Sequence, residues 1–445
     1  MPLPALIALL VAAAVGAAVL SRAESSVMPL RLLAGALGGG LGALAVSAPL
    51  DFCTFSDAYE TKDFVFGLAL MALGTAAGIA AARAVLAPGK QSSNEASHSV
   101  WRSWWMPWVL LSPTLAVLIV FLYWPALRTI QYSTKLARLS SPKRVDRCAL
   151  NFTELIGPSR PWLALVLGGL GIAGVLAGAL LDRQGTRMNQ SARSLVSAVS
   201  TVALLSALAF VFTDDYRQVY VVTMIISVGT VVGGLAISLG IAFISYQPIR
   251  GASVYRTLLI WPYAISPPIA GILFFVMFDA NTGIIDHWTT SLLNTRLPDY
   301  RTSTILAQGL VIMASIWKTL GYNLLFYVAG LQTIPPDQVE AAMIDGATAW
   351  QRFRYVIIPA LSPITFFLIV TNLTYAFFET YGTIDFLTKG GPAGGTNVAM
   401  YEIIQVFNTG GDLGRGSAQS MILFAGVVAL TMWQFRSTGR RVSYG

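Results

Sequence analysis

Residues 340 to 359 read Glu-Ala-Ala-Met-Ile-Asp-Gly-Ala-Thr-Ala-Trp-Gln-Arg-Phe-Arg-Tyr-Val-Ile-Ile-Pro, and they lie between two long apolar runs. A charged, helix-forming segment inside a chain otherwise suited to lipid is a surface made for water and for docking. Pro335 and Pro336 stop the run before it, because proline cannot continue a helix interior. Asp337 is placed to cap a new helix reaching Ile344, its carboxylate accepting orphan backbone hydrogen bonds. Gly346 then permits a bend. A second short helix carries Trp350, Phe353 and Val356 at helical spacing, an apolar stripe beside Arg352 and Arg354, and Pro359 closes it. Two short helices at an angle make a knob.

The rest of the chain is what makes this knob unusual. Of 445 residues, 55% are hydrophobic and only 11% are charged. A soluble domain of this size carries about a quarter charged residues, so too few charges are present to cover a water-facing surface. Apolar runs of roughly 20 residues span a bilayer as helices. In lipid every backbone polar group must be paired internally, which leaves helices or closed barrels. Continuous apolar runs, rather than alternation, select helices. The fold class is therefore all-α: a polytopic transmembrane helical bundle of about eleven spans. They fall at residues 3–20, 31–49, 64–86, 107–127, 163–181, 195–212, 219–245, 257–278, 305–329, 361–385 and 418–435.

The polar stretch 88–105 separates a three-helix front module, residues 1–105, from the remainder, 106–445. The front module is rich in Ala, Gly and Leu and carries no charge at mid-span, which suits packing or lipid contact. Residues 1–20 lack the positive start of a signal peptide and read as a retained span. The pair within 163–212 is equally bland. A pair leaves the orientation of everything downstream unchanged, as an insertion should, and six spans remain as a core.

Several passages carry a family likeness. Leu111-Ser112-Pro113 and Tyr123-Trp124-Pro125 flank the first core span. Leu259-Ile260-Trp261-Pro262-Tyr263-Ala264-Ile265-Ser266-Pro267 opens a later one, and Ile316-Trp317-Lys318 and Tyr322-Asn323 lie within another. Leu331-Gln332-Thr333-Ile334-Pro335 leads into the knob. Tyr375-Ala376-Phe377-Phe378-Glu379-Thr380, Gly390-Gly391-Pro392, Ser417-Ala418-Gln419-Ser420 and Gln434-Phe435-Arg436 follow it. From Trp108 to Tyr132, and again from Tyr216 to the C-terminus, the chain resembles an ABC importer permease of the sugar or glycerol-3-phosphate type. The three leading spans and the inserted pair depart from that pattern.

The resemblance implies a type I importer core of six helices in a cell inner membrane, with the knob as the EAA loop that grips an ATPase. Glu340, Ala341, Ala342, Asp345, Gly346, Phe353 and Pro359 are then its coupling residues. It also implies the partners: a second permease subunit making a heterodimer, two ATP-binding subunits and an extracytoplasmic solute-binding protein, all within membrane lipid. No cofactor, metal or catalytic residue is implied. ATP hydrolysis belongs to a partner, consistent with a chain that has no G-x-x-x-x-G-K-[ST] phosphate loop.

With the knob inside the cell, alternation puts Arg22, Arg83, Lys90, Arg183, Arg256 and Arg436 inside and the acidic loop 51–63 outside, as the positive-inside rule requires. The N-terminus is then external and the C-terminus cytoplasmic. The loop 128–160 disagrees, being external yet basic at Arg128, Lys135, Arg138, Lys143, Arg144, Arg147 and Arg160. It is either a tolerated solvated loop or a surface that meets an acidic binding protein or attracts an anionic solute. The net charge of +8 resides mainly in such connections and signals no nucleic acid. Cys53 and Cys148, both external, read as free thiols, with a disulfide as the alternative.

Polar groups at mid-membrane are costly and tend to face a cavity. Lys318 lies halfway along its span, with Tyr322 and Asn323 following. Asn372, Tyr375 and Glu379 recur on one helical face. Tyr263 and Ser266 precede Pro267 and Pro268, which should kink that span. Tyr263, Lys318, Asn323, Asn372, Tyr375 and Glu379 are thus candidates to line a solute path, where the Lys318 cation suits a phosphate. Alternatively Lys318 pairs with Glu379 and joins two helices, since a buried charge needs a partner. Two other function classes stand beside the importer: a secondary transporter, and a membrane enzyme acting on a lipid-linked substrate. The second would need clustered acids or histidines, whereas His98 and His287 fall on opposite sides and Asp214-Asp215 reads as a span boundary.

Overall fold

The computed structural model describes residues 3–21, 28–47, 61–86, 106–141, 145–147, 150–157, 161–183, 199–200, 203, 206–207, 209–246 and 252–438. Among these the chain is helical apart from one short hairpin, two isolated bridges and turns. Cys53, Cys148, His98, Lys143, Arg144, Arg160, the 88–105 linker and much of the second inserted helix lie outside the described residues. The chain divides into two compact units, residues 1–154 with 406–421, and 155–405 with 422–445.

In the first unit, helices α1 (Leu3–Ser21), α2 (Met28–Ser47) and α3 (Thr61–Leu86) pack on one another, with α2 between the other two. Their contact depends on missing side chains: a Cβ at Gly78 would run into the Gly38 carbonyl, and one at Gly42 into that of Gly74. Small residues spaced by four let backbones approach where lipid gives helices no hydrophobic reason to associate. Next come α4 (Met106–Leu118), a π-turn at Ile119–Tyr123 and α5 (Trp124–Ser133), exposed over most of their length. Beyond them β1 (Lys135–Leu136) pairs antiparallel with β2 (Val145–Asp146), and α6 (Leu150–Thr153) follows. Here the basic loop proves partly self-neutralised. Lys135 pairs with Asp146 at 3.8 Å and Arg147 with Glu154 at 3.1 Å. Asn151 Nδ2 donates to the Ser133 and Lys135 carbonyls, fixing the hairpin's base.

The second unit contains α7 (Pro161–Arg183), α8 (Asp214–Tyr246), α9 (Ala252–Ile260), α10 (Pro267–Phe278), α11 (Ile284–Leu293) and α12 (Thr304–Gln332). After them come α13 (Pro336–Ile344), α14 (Ala349–Arg352), α15 (Ile358–Ala360), α16 (Ser362–Phe378) and α17 (Thr380–Leu387). The chain ends with α18 (Ala399–Asn408) and α19 (Leu413–Thr438). Helix α12 is the hub. It packs along α8, where Gly229 and Gly233 lie against Ile312 and Ile316. One apolar cluster gathers Leu310, Val311 and Ala314 with Val222, Phe274 and Ile384. A second gathers Leu324, Tyr327 and Leu331 with Val231, Leu361 and Leu368. Between them α12 carries a buried polar layer of Ser315, Lys318, Thr319 and Asn323.

Among the described residues four helical segments are long and apolar enough to cross a bilayer: Val109–Ser133, Asp214–Ser245, Thr304–Gln332 and Leu413–Met432. Two more are bent pairs: Thr257–Ala264 with Pro267–Phe278 at 108°, and Ala349–Ala360 with Ser362–Phe378 at 67°. The prolines at 267 and 268 therefore break their span rather than merely kink it. Ile265 and Ser266 adopt extended backbone, and α10 begins afresh with proline in its first turn, where the missing N–H would be unpaired anyway. The stretch expected to run unbroken from 361 to 385 is also divided: α16 stops at Phe378, Glu379 turns the chain, and α17 starts at Thr380.

Candidate functional site

The knob is built by local chemistry. Pro335 precedes α13 and Pro336 is its first residue. Asp337 is not the cap. It lies in the first helical turn, where its charge complements the helix dipole, and no side chain caps that end. The far end closes in a Schellman motif. Gly346 adopts φ +79°, its N–H donates to the Met343 carbonyl at 3.0 Å, and the Ala347 N–H donates to that of Ala342 at 3.0 Å. Two residues later Thr348 opens α14 with a capping box. Gln351 N–H donates to Thr348 Oγ1 at 3.3 Å, and Thr348 N–H to Gln351 Oε1 at 2.7 Å. The bend is thus specified from both sides.

The elbow's outer face is exposed and partly apolar. Glu340, Ala341, Asp345, Gly346 and Pro359 are exposed, and Ala342 is half-buried. Ile344 is 87% exposed and Trp350 65%, with Met343 and Tyr355 open beside them. The stripe expected at Trp350, Phe353 and Val356 is split in use. Phe353 turns inward, its ring 4.8 Å from that of Phe243 on α8, and Val356 is half-buried, while Trp350 stays outside. Phe353 therefore belongs to the elbow's footing and Trp350 to its open face.

The second candidate site lies where the break before α10 and the α16–α17 junction meet α12. The break before α10 and the break before α17 touch: Gly382 lies against the rings of Pro267 and Pro268, and Thr383 Oγ1 donates to the Pro267 carbonyl at 3.3 Å. Tyr263 comes from the first break, and Tyr375 precedes the second by one turn. Their rings flank the Lys318 ammonium, at 5.4 and 5.2 Å from Nζ to the ring centroids, within cation–π range. Tyr263 also lies 5.3 Å from the Tyr322 ring. Lys318 is buried, whereas Tyr263 and Glu379 are exposed. Among the described residues no carboxylate lies within ion-pairing distance of Lys318, so the direct Lys318–Glu379 bridge weighed from the sequence is not formed. Aromatic faces supply the cation's near neighbours instead.

Asn323 and Asn372 bond to one another. Asn323 Nδ2 donates to Asn372 Oδ1 at 3.1 Å, Asn372 Nδ2 donates back at 2.6 Å and also reaches the Leu368 carbonyl at 2.8 Å. Both amides are buried, and they clasp α12 to α16. Asn372, Tyr375 and Glu379 were expected to share one lining face; the Asn372 amide is engaged by Asn323, while the Tyr375 ring and the Glu379 charge both act on Lys318.

Comparison with known proteins fits this architecture. The profile of the family described as "Binding-protein-dependent transport system inner membrane component" matches residues 234–443. The sn-glycerol-3-phosphate transport system permease protein UgpA of Yersinia enterocolitica is 33% identical over 76% of this chain and 96% of its own length. This chain belongs to the family of ABC importer permeases. The UgpA protein of Brucella suis is 42% identical over 55% of this permease and 83% of its own length. A chain of a bacterial alginate ABC transporter, solved in complex with an alginate pentasaccharide-bound periplasmic protein, shares the fold. Its TM-score is 0.54 at 16% identity, covering 77% of this permease and 96% of that chain. The permease is accordingly a multi-pass membrane protein, and the secondary-transporter and membrane-enzyme readings find no support.

Sequence reading of the permease missed two features. The Thr348-x-x-Gln351 box was legible as a capping signature. The inward turn of Phe353 was not, because nothing local names Phe243 as its neighbour.

Proposed function

We propose that this permease forms one half of the translocation path of a glycerol-3-phosphate or sugar importer. A second permease subunit completes the path, two ATP-binding subunits drive it and an extracytoplasmic solute-binding protein loads it. The elbow α13–α15 faces the cytoplasm and seats in the ATPase, with Glu340 and Asp345 gripping and Gly346 holding the bend. This topology makes the N-terminus external and the C-terminus cytoplasmic. The front module, residues 1–105, and the inserted pair within 163–212 are additions to the permease core.

The observation carrying this reading is the elbow itself. Its apolar side chains are exposed among the described residues, while its bend is held by a Schellman motif on one side and a capping box on the other. A rigid exposed element footed on α8 through Phe353 transmits force from a bound partner to the spans. The Lys318–Tyr263–Tyr375 cluster, at mid-span beside two helix breaks, is the proposed solute contact. Broken helices within membranes occur where they are buried in protein or line a water-filled cavity.

The test is uncoupling in the reconstituted importer. Glu340→Ala and Gly346→Val should leave the permease in the membrane and the ATPase subunits able to hydrolyse ATP, while binding-protein-dependent uptake is lost. Uptake equal to the parent in both variants overturns the docking role.

A further inference from the structure

Helix α11 is amphipathic the wrong way round for a soluble element. Ile284, Trp288 and Leu292 recur every four residues and so form one stripe. A soluble helix would bury that stripe on a core. Here the stripe points away from the chain: Ile284 is 51%, Trp288 61% and Leu292 80% exposed. The opposite face is the tethered one, since Asp286 Oδ1 accepts the Leu297 N–H at 2.8 Å.

The position of α11 says what covers the stripe. The helix lies between the end of span α10, at Phe278, and the start of span α12, at Thr304. The elbow lies beyond the other end of α12. Helix α11 therefore runs at the membrane surface opposite the elbow. The flanking spans themselves carry exposed apolar side chains, Ile272 and Val276 on α10 and Ile305 on α12. Its two ends are fixed. Asp279 pairs with Arg301 and accepts the backbone N–H groups of Asn281 and Thr282, tying the exit of α10 to the approach of α12. Asn294, in the left-handed conformation at φ 49°, ends the helix, and Arg296 stands exposed just beyond.

We infer that α11 is an interfacial anchor, its Ile284–Trp288–Leu292 stripe lying in the lipid headgroup and acyl boundary of the leaflet opposite the elbow. Tryptophan favours that depth, and a helix with one apolar and one polar face lies in the interface plane. Arg296 meets a headgroup phosphate there. The anchor holds the ends of α10 and α12 at a fixed height, and α10 begins at the break that carries Tyr263 toward Lys318.

Nitroxide labels on the complete importer in phosphatidylcholine nanodiscs test this. Trp288→Cys, Leu292→Cys and Thr290→Cys are each made in a parent carrying Cys53→Ser and Cys148→Ser. Labels at 288 and 292 should show an oxygen-to-nickel-chelate accessibility ratio several-fold above that at 290. A ratio at 288 and 292 no higher than at 290 overturns the proposal. Shielding of 288 and 292 from both reagents overturns it too, because a protein partner then covers the stripe. The unmodified permease gives a check without substitution: a photoactivatable acyl-chain lipid should label the peptide 284–297. Labelling of α10 without α11 defeats the inference.

Discussion

The elbow at 336–360 and the polar layer midway along α12 are both polar interruptions of an apolar chain, and they resolve the cost of polarity oppositely. The elbow keeps its charges in water and satisfies its backbone with its own neighbours in sequence: a glycine, a threonine and a glutamine within six residues. The layer on α12 is removed from water, so its satisfaction comes from other helices. Asn372 lies 49 residues from Asn323, and Tyr263 and Tyr375 reach Lys318 from opposite directions along the chain. The difference teaches which sites a sequence can specify alone. Local hydrogen bonds can be read from spacing, whereas cross-helix ones depend on which helix lies opposite.

The amide clasp gives the largest expected effect. Asn372→Leu strands the buried Asn323 amide, and an unsatisfied buried polar group costs about 1–3 kcal/mol. The purified permease should lose thermal stability accordingly. The double variant Asn323→Leu with Asn372→Leu should recover most of it, because apolar groups of similar shape leave nothing unpaired. A double variant no better than the single one would place these amides in a larger network. Altered solute preference in the double variant would place the two amides on the solute path, and intact preference would limit them to joining α12 and α16.

Lys318 comes next. It is the most sequence-legible residue of the layer, since a lysine at mid-span stands out, and Tyr263 and Tyr375 were grouped with it, but which group it would touch was not legible. A cation at that depth was expected to find Glu379, because opposite charges are the simplest pairing. Glu379 instead ends α16 exposed and acts on Lys318 only at longer range, while one turn earlier the Tyr375 ring meets the ammonium. Helical periodicity assigned these residues to one face, and the Glu379 N–H still donates to the Tyr375 carbonyl at 2.8 Å, but spacing does not say whether an exposed carboxylate comes within ion-pairing distance of the ammonium. Lys318→Met removes charge and keeps length. Uptake of an anionic phosphate ester should fall about tenfold, the equivalent of about 1.4 kcal/mol, with a neutral sugar little affected. Equal loss for both solutes would make the cation a structural link between helices and not a solute contact.

The six core spans were readable, because apolar run length is a local property. The four straight segments and two bent pairs fall where apolar runs predict the core. The severity of the breaks was not readable. Proline marks a weakness, but at the 108° turn Gly271 also admits the Thr383 carbonyl and Gly382 the Pro267 and Pro268 rings, and those glycines lie more than a hundred residues apart in sequence.

The smallest effect sharpens the elbow's side of the comparison. If its bend is held locally, removing one local bond should loosen it without touching the spans. Thr348→Ala deletes the side-chain acceptor of the capping box, a change costing about 1 kcal/mol. Thr348→Ser keeps the acceptor and should behave like the parent. Hydrogen exchange of the 349–352 amides reads the difference directly: a loss of about 1 kcal/mol predicts roughly fivefold faster local opening. Exchange on α12 and α16 should stay unchanged, because the capping box makes no bond to either. Matched acceleration in the spans would show that the elbow's shape is imposed by the helices it joins, and the contrast between locally and distantly satisfied polarity would then fail at its clearest member.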